Sequence, residues 1–109
     1  MFPLTFGARG SATIGGVLST NAGGSNVLKY GNTRDLVLGV EIVLPNGDII
    51  KTGGRTKKTS AGYNLTNLFI GSEGTLGIIT EIQLRLSPIP ESIMSAVCHF
   101  ANLETVYLC

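Results

Sequence analysis

Thr13-Ile14-Gly15-Gly16-Val17-Leu18-Ser19-Thr20-Asn21-Ala22-Gly23-Gly24 is the stretch on which the reading of this chain turns. Two Gly-Gly pairs bracket a short apolar run. Thr13 or Ser11 supplies a helix N-cap ahead of it, and Gly23-Gly24 supplies a stop, so a short helix is predicted over Thr13 to Asn21. Glycine lets backbone amides approach a bulky ligand, and a helix start presents those amides with a dipole that favours an anion. A phosphate or the edge of a flat heteroaromatic ring suits such a surface. The same pattern equally describes a helix with tight turns at both ends, packed through glycine against a neighbouring strand. The residues alone leave both readings open.

A second glycine-rich stretch, Gly71-Ser72-Glu73-Gly74-Thr75-Leu76-Gly77-Ile78-Ile79-Thr80, lies far downstream. Glycines at a spacing of three cannot share one strand face, so residues 71–77 read as a loop that feeds a strand. Glu73 and Thr75 could hydrogen-bond a ligand's polar edge, or Glu73 could cap a backbone turn. Neither stretch is a familiar phosphate loop. No two glycines of the chain lie two apart, which excludes G-x-G-x-x-G, and G-x-x-x-x-G-K-[ST] is missing as well.

The segments around these stretches follow simple periodicities. Leu36 to Leu44 alternates, with Leu36, Leu38, Val40, Ile42 and Leu44 on one face and Glu41 on the other. Pro45-Asn46-Gly47-Asp48 is hairpin chemistry, and Asp48 to Thr52 returns as the partner strand. Asn64 to Ile70 reads as a helical turn ended near Gly71. Leu76 to Leu86 is a strand with Ile78, Thr80, Ile82, Leu84 and Leu86 on one face and Glu81, Gln83 and Arg85 on the other. Pro88 and Pro90 end it. Ser92 to Phe100 reads as a further strand, and Asn102 to Cys109 as an incipient helix that stops mid-pattern, as in a fragment. All 15 glycines fall between Gly7 and Gly77, a composition shift that marks the clearest internal boundary.

Composition narrows the function classes. The 109 residues suffice for one small domain. Eight basic and seven acidic side chains leave a net charge of +1, so no long-range field steers the chain toward nucleic acid. Glu41, Asp48 and Glu81 interrupt every apolar run before it reaches the ~20 residues of a bilayer span. Met1 to Thr5 does not read as a signal peptide. Two late cysteines, Cys98 and Cys109, build no disulfide framework and favour a reducing compartment. A single histidine, His99, without a Cys-x-x-Cys, gives no basis for a structural zinc site. Lys51, Arg55, Lys57 and Lys58 form a basic run without interleaved aromatics and read as a solvated edge. Tyr63 is either a packed ring or a ligand contact, and Asn64-Leu65-Thr66 is a sequon without secretory context.

In order along the chain, several motifs resemble the FAD-linked oxidases of the vanillyl-alcohol oxidase type. The resemblance is strongest to the branch that holds D-lactate dehydrogenase (cytochrome) and the flavin-binding component of glycolate oxidase. It rests on Phe2-Pro3-Leu4, Gly7-Ala8-Arg9-Gly10-Ser11, Thr13-Ile14-Gly15-Gly16 and Ser19-Thr20-Asn21-Ala22-Gly23-Gly24. It continues through Tyr30-Gly31, Val37 to Glu41, Pro45-Asn46-Gly47, Ser60 to Leu65 and Leu68 to Thr80. The resemblance implies an α+β fold, the second subdomain of a PCMH-type FAD-binding domain, with a mixed or antiparallel sheet flanked by helices. Residues 1–90 would be part of that domain, without its upstream phosphate loop, and residues 91–109 the start of a substrate domain.

Carried over position by position, the resemblance makes Thr13, Gly15, Gly16, Thr20, Asn21, Ala22 and Gly23 FAD contacts. Glu73, Gly74, Gly77 and Ile79 would approach the flavin or the adenine-ribose end, and Pro3 the isoalloxazine. No His or Cys lies in these segments, which implies non-covalent FAD. The implied reaction is hydride transfer from a small 2-hydroxy acid, D-lactate or glycolate, to the flavin. A cytochrome, a quinone or an electron-transfer flavoprotein would take the electrons. The catalytic residues and a divalent metal would belong to the substrate domain, and further subunits are compatible with the family. The compartment would be the bacterial cytoplasm or membrane face, or the mitochondrion in a eukaryote. Two alternatives stand beside this reading. One is another flavin oxidase of the same fold, such as a D-2-hydroxyglutarate dehydrogenase, and the other is a non-catalytic glycine-rich binding module.

Overall fold

A computed structural model describes residues 1–55, 60, 62–102 and 106 of the chain. The predicted first helix forms as α1 (Ile14–Ser19), and Thr13 is its N-cap, its hydroxyl accepting from Gly16 N at 3.2 Å. At the other end Thr20 folds its hydroxyl back onto Gly16 O at 3.0 Å. Two single-turn helices follow, α2 (Val27–Tyr30) and α3 (Thr33–Leu36). Sequence periodicity announces neither, because four residues carry no repeat. The signal for α3 lies in its cap. Asn32 accepts from Asp35 N at 3.4 Å, and the Asp35 carboxylate accepts from Asn32 N at 2.9 Å, a reciprocal capping box.

Strand β1 (Val37–Val43) begins one residue later than the alternation predicts, since Leu36 is spent on closing α3. The hairpin to β2 (Ile49–Gly53) turns as expected. Gly47 N donates to Leu44 O at 2.9 Å and Leu44 N to Asp48 O at 2.8 Å. Gly47 sits at φ 88°, the left-handed position that this loop length demands. Asn46 accepts from Asp48 N at 3.0 Å and tightens the turn. Helix α4 (Leu65–Phe69) starts at Asn64, whose side chain accepts from Asn67 N at 3.0 Å, and β3 (Ile78–Leu84) completes the described sheet. The order is β2-β1-β3, antiparallel throughout.

Two irregularities decide which side chains reach the core. The β1–β3 register shifts between Val37 and Gly39 and again between Glu41 and Ile42, where Thr80 is the extra residue on β3. The bulge at Thr80 corrects the predicted face of β3. Ile79, rather than Ile78, joins Ile82 and Leu84 against the core, and Ile78 is 70% exposed. A one-residue insertion reverses the alternation beyond it, and uniform period-two reading cannot detect one.

The core lies between α1, α4 and one face of the sheet. Leu18, Val37, Val40, Ile42, Phe69 and Ile70 are buried together, and Leu44, Ile50, Ile79, Ile82 and Leu84 pack against them. Burying side chains of this size is worth roughly 1.5–3 kcal/mol each. On the same face Thr52 and the buried Thr66 share a hydrogen bond of 2.9 Å, which ties β2 to α4. Gly77 is required where the loop into β3 crosses β1: a Cβ there would lie 2.6 Å from Ile42 Cγ2 and 2.8 Å from Val43 O. Near the N-terminus, Leu4 is buried, and Ser87 N donates to Met1 O at 2.9 Å, so the first residues run beside the end of β3.

Beyond Pro90 the expectation of a strand over Ser92 to Phe100 is not met. These residues carry no strand pairing, and Ile93, Met94 and Val97 are each more than four-fifths exposed. Alternation supplies an apolar face, but a strand also needs a partner for its amides, and no described segment offers one. Lys57, Lys58 and Ala61 lie outside the described residues, as does most of the helix expected after Asn102.

The open face of the sheet carries a ladder of charge. Glu41 stands opposite Lys51 on β2 and opposite Glu81 on β3, and Lys51 Nζ lies 3.1 Å from Glu41 and 3.9 Å from Glu81. The Thr80 hydroxyl donates to the Glu41 carboxylate at 2.8 Å. That hydrogen bond first, and Lys51 second, hold the Glu41 carboxyl below its ordinary value, and the hydrogen bond to Glu41 raises Lys51. A depressed carboxyl stabilises the fold above its unfolded value and loses that contribution as pH falls through the folded one. A raised lysine does the reverse at the alkaline end, stabilising below its unfolded value and ceasing to do so as pH climbs through the folded one. Thermal unfolding followed against pH should therefore show Glu41→Gln flattening the acid limb. An unchanged acid limb in that variant would remove the ladder from the account of stability.

Candidate functional site

Helix α1 ends with carbonyls that no residue of the helix can satisfy, the general condition of a helix C-terminus. Here the following turn supplies some of the donors, Asn21 N to Leu18 O at 3.0 Å and Ala22 N to Val17 O at 2.9 Å, and a distant loop supplies two more. Gly71 N donates to Leu18 O at 3.0 Å, and Glu73 N donates to Ser19 O at 2.9 Å. The two glycine-rich stretches singled out in the sequence are thus joined through backbone, with the Thr13–Gly24 stretch on one side and the 71–77 loop on the other. Gly71 takes φ 83°, and a Cβ there would lie 3.3 Å from both Arg34 Nη2 and Asn21 Cβ.

The turn after α1 is strained and then pinned. Asn21 stands at φ 48°, one of two non-glycine residues with positive φ among those described, and its side chain accepts from Arg34 N at 3.0 Å. Ala22 O accepts from Thr33 N at 3.4 Å and from the fully buried Thr33 hydroxyl at 2.6 Å. The other such residue, Glu73 at φ 53°, is the one whose amide meets Ser19 O. Both lie at the junction of the two stretches.

The sequence-predicted positions divide by what surrounds them. Thr13 is spent on its capping bond and Thr20 on its bond back to α1. Gly15 and Gly74 are open, with nothing within 4 Å of where a Cβ would stand, and Gly23 would meet only Val27 Cγ2 at 3.5 Å. Gly16 would crowd the Thr13 hydroxyl at 3.1 Å. The amides of Ile14 and Gly15 have no hydrogen-bond partner among the described residues, as the first turn of a helix dictates. Gly77 and Ile79 carry packing tasks of their own: the one allows the loop to cross β1, and the other packs its side chain on the core. Pro3 is buried, and its carbonyl accepts from Asn26 Nδ2 at 2.9 Å. Beside it, Thr5, Phe6, Gly7, Gly24 and Ser25 line an open groove, where Ser25 N donates to Thr5 O at 3.2 Å.

Arg34, Thr33 and Asn26 carry no signal in the sequence. Each acts on the backbone of a segment far along the chain, and no local spacing encodes such a bond. Tyr63, by contrast, is 95% exposed and packs on nothing in the described chain. Among the described residues no group of three His, Cys, Asp or Glu side chains could hold a metal ion. No described helix is long and apolar enough to cross a membrane.

Comparison with known proteins places this geometry. Residues 1–53 match the FAD binding domain family. The chain is 52% identical over 103 residues to the mitochondrial D-lactate dehydrogenase [cytochrome] of Arabidopsis thaliana, covering 94% of the chain and 18% of that protein. It is 54% identical over 93 residues to the glycolate oxidase subunit GlcD of Bacillus subtilis, covering 85% and 20%. Among solved structures, an alkyldihydroxyacetonephosphate synthase superposes with a TM-score of 0.60 at 34% identity, covering 74% of this chain and 14% of that one. The chain spans about a fifth of the length of the curated relatives it matches.

The crowding at Gly71 and the openness at Gly15 give opposite expectations. Gly71→Ala combines a left-handed backbone with a Cβ close to Arg34 and Asn21, and should cost about 1–2 kcal/mol of stability in urea unfolding. Gly15→Ala adds a methyl to open space on a helix and should leave stability level or raise it by a few tenths of a kcal/mol. Equal losses in both variants would contradict this geometry.

Proposed function

We propose, from the premise that this chain belongs to the FAD-linked oxidases and carries part of their FAD-binding domain, that it forms one wall of the FAD site of a 2-hydroxy-acid dehydrogenase. When bound, FAD supplies the two-electron chemistry, accepting hydride from the α-carbon of D-lactate or glycolate. The chain's own part is to bind and orient. Thr13, Gly15, Gly16, Thr20, Asn21, Ala22 and Gly23 line the cofactor from one segment, and Glu73, Gly74, Gly77 and Ile79 from the other, the last two through backbone. The observation that carries the reading is the backbone junction of the two glycine-rich stretches, Gly71 N to Leu18 O and Glu73 N to Ser19 O, with Gly15 and Gly74 facing open space and the amides of Ile14 and Gly15 unpartnered among the described residues. A polyanionic cofactor with a broad ring fits that donor set, because hydrogen-bond donors line it with little bulk between them.

The cofactor is held without a covalent bond, since neither segment offers a His or Cys to attach it. The substrate, its catalytic base and any divalent metal are assigned to a further domain of the complete protein. A cytochrome, a quinone or an electron-transfer flavoprotein would serve as electron acceptor, in the mitochondrion if the source is eukaryotic.

The visible spectrum of the longest native form of the protein tests this reading. Flavin bands should move to the supernatant on acid precipitation; bands that stay with the pellet would overturn non-covalent binding. A full-length protein that remains colourless after incubation with FAD would overturn the assignment as a whole. In the same protein Gly15→Ala should weaken FAD binding about tenfold or more while stability holds, and undiminished binding would take Gly15 out of the site.

A further inference from the structure

We infer that Arg34 is a positioning residue, which sets the distance between the two glycine-rich walls of the site by holding a single peptide unit. This rests on the reading of that site given above. The peptide unit is Ile70–Gly71. Its carbonyl accepts from Arg34 Nη2 at 2.9 Å, and its N–H donates to Leu18 O at 3.0 Å. A peptide unit is planar and rigid, so fixing both edges fixes its orientation, and with it the direction in which the 71–77 loop departs.

Arg34 also grips the opposite wall. Its backbone N–H donates to Asn21 at 3.0 Å, while Thr33, its neighbour on α3, binds Ala22 O through both amide and hydroxyl. One turn of helix therefore reaches both walls, the first through backbone and a buried hydroxyl and the second through a guanidinium. The two positive-φ residues, Asn21 and Glu73, stand one on each wall. Conformations of that kind persist where surrounding bonds over-determine them, and Arg34 supplies the bond at Asn21 and holds the peptide two residues before Glu73. The guanidinium also passes 3.3 Å from the place of a Gly71 Cβ, so the glycine makes room for the arginine. A charged donor on a partly buried carbonyl is among the stronger single hydrogen bonds a protein makes.

The test uses the longest native form of the protein, compared with Arg34→Ala and Arg34→Lys. Amide hydrogen exchange is read on FAD-free protein, and FAD affinity is read separately by flavin fluorescence quenching. In Arg34→Ala the amides of Gly71 and Glu73 should exchange about tenfold faster while those of β1 keep their rates, and the FAD dissociation constant should rise about tenfold. Arg34→Lys keeps a cationic donor and should recover part of both effects. Exchange that rises equally in β1 would mean general destabilisation and would overturn the inference. So would unchanged FAD affinity alongside faster loop exchange, or a lysine variant no better than alanine. If Arg34→Ala does not fold, Arg34→Gln carries the same comparison. Should the parent protein bind no FAD, the functional reading fails and the positioning role with it. Failure of the inference alone looks different: the parent takes up FAD normally and the Arg34 variants match it.

Discussion

At the end of a six-residue helix, Ser19 O is met by the amide of Glu73, and Leu18 O, which also accepts from Asn21 N, is met by the amide of Gly71. Much of the described architecture serves that meeting. Between the two segments the chain makes two single-turn helices, a hairpin and α4, and arrives back beside α1 with its amides facing the right way. The core permits this because Leu18 on α1 and Phe69 and Ile70 beside the loop are buried in one cluster with β1. Apolar burial brings the segments together within a few ångströms. The hydrogen bonds then fix which residue faces which, since leaving such carbonyls unmet away from water costs about as much as a lost hydrogen bond.

Besides the turns it makes, as at Gly47 and Gly74, glycine performs two further tasks in this chain. At Gly77 and Gly71 it yields space to a neighbour, and at Gly15, on α1, it faces open space. A binding module that used glycine for turns alone would need no open glycine on α1. Gly15 lies within residues 1–53, which match the FAD binding domain family, and that coincidence gives the functional reading its physical content.

Elements that announce themselves by local chemistry are legible in the sequence: α1 from Thr13 and its flanking glycines, the hairpin from Pro45 to Asp48, α4 from Asn64. Resemblance to a family also puts the two glycine-rich stretches side by side, and the structure joins their backbones. Periodicity has no means of showing how they touch. The bulge at Thr80 escapes it because one inserted residue changes the face of a strand without changing its composition. The strand expected over Ser92 to Phe100 fails for the opposite reason, its apolar alternation being present and its partner missing among the described residues. Arg34 is invisible to such reading altogether, because its importance lies in a backbone carbonyl 36 residues away.

That separation has a consequence in time. A ribosome adds roughly 5–20 residues per second, so Arg34 is made seconds before the carbonyl it binds. By the end of that interval β1 has its hairpin partner on one edge and nothing on the other, and Ser19 O at the end of α1 still lacks the Glu73 amide that meets it in the finished fold. The half-made domain is therefore a hairpin with an uncovered apolar face, a surface that invites a holding chaperone until the second glycine-rich stretch emerges.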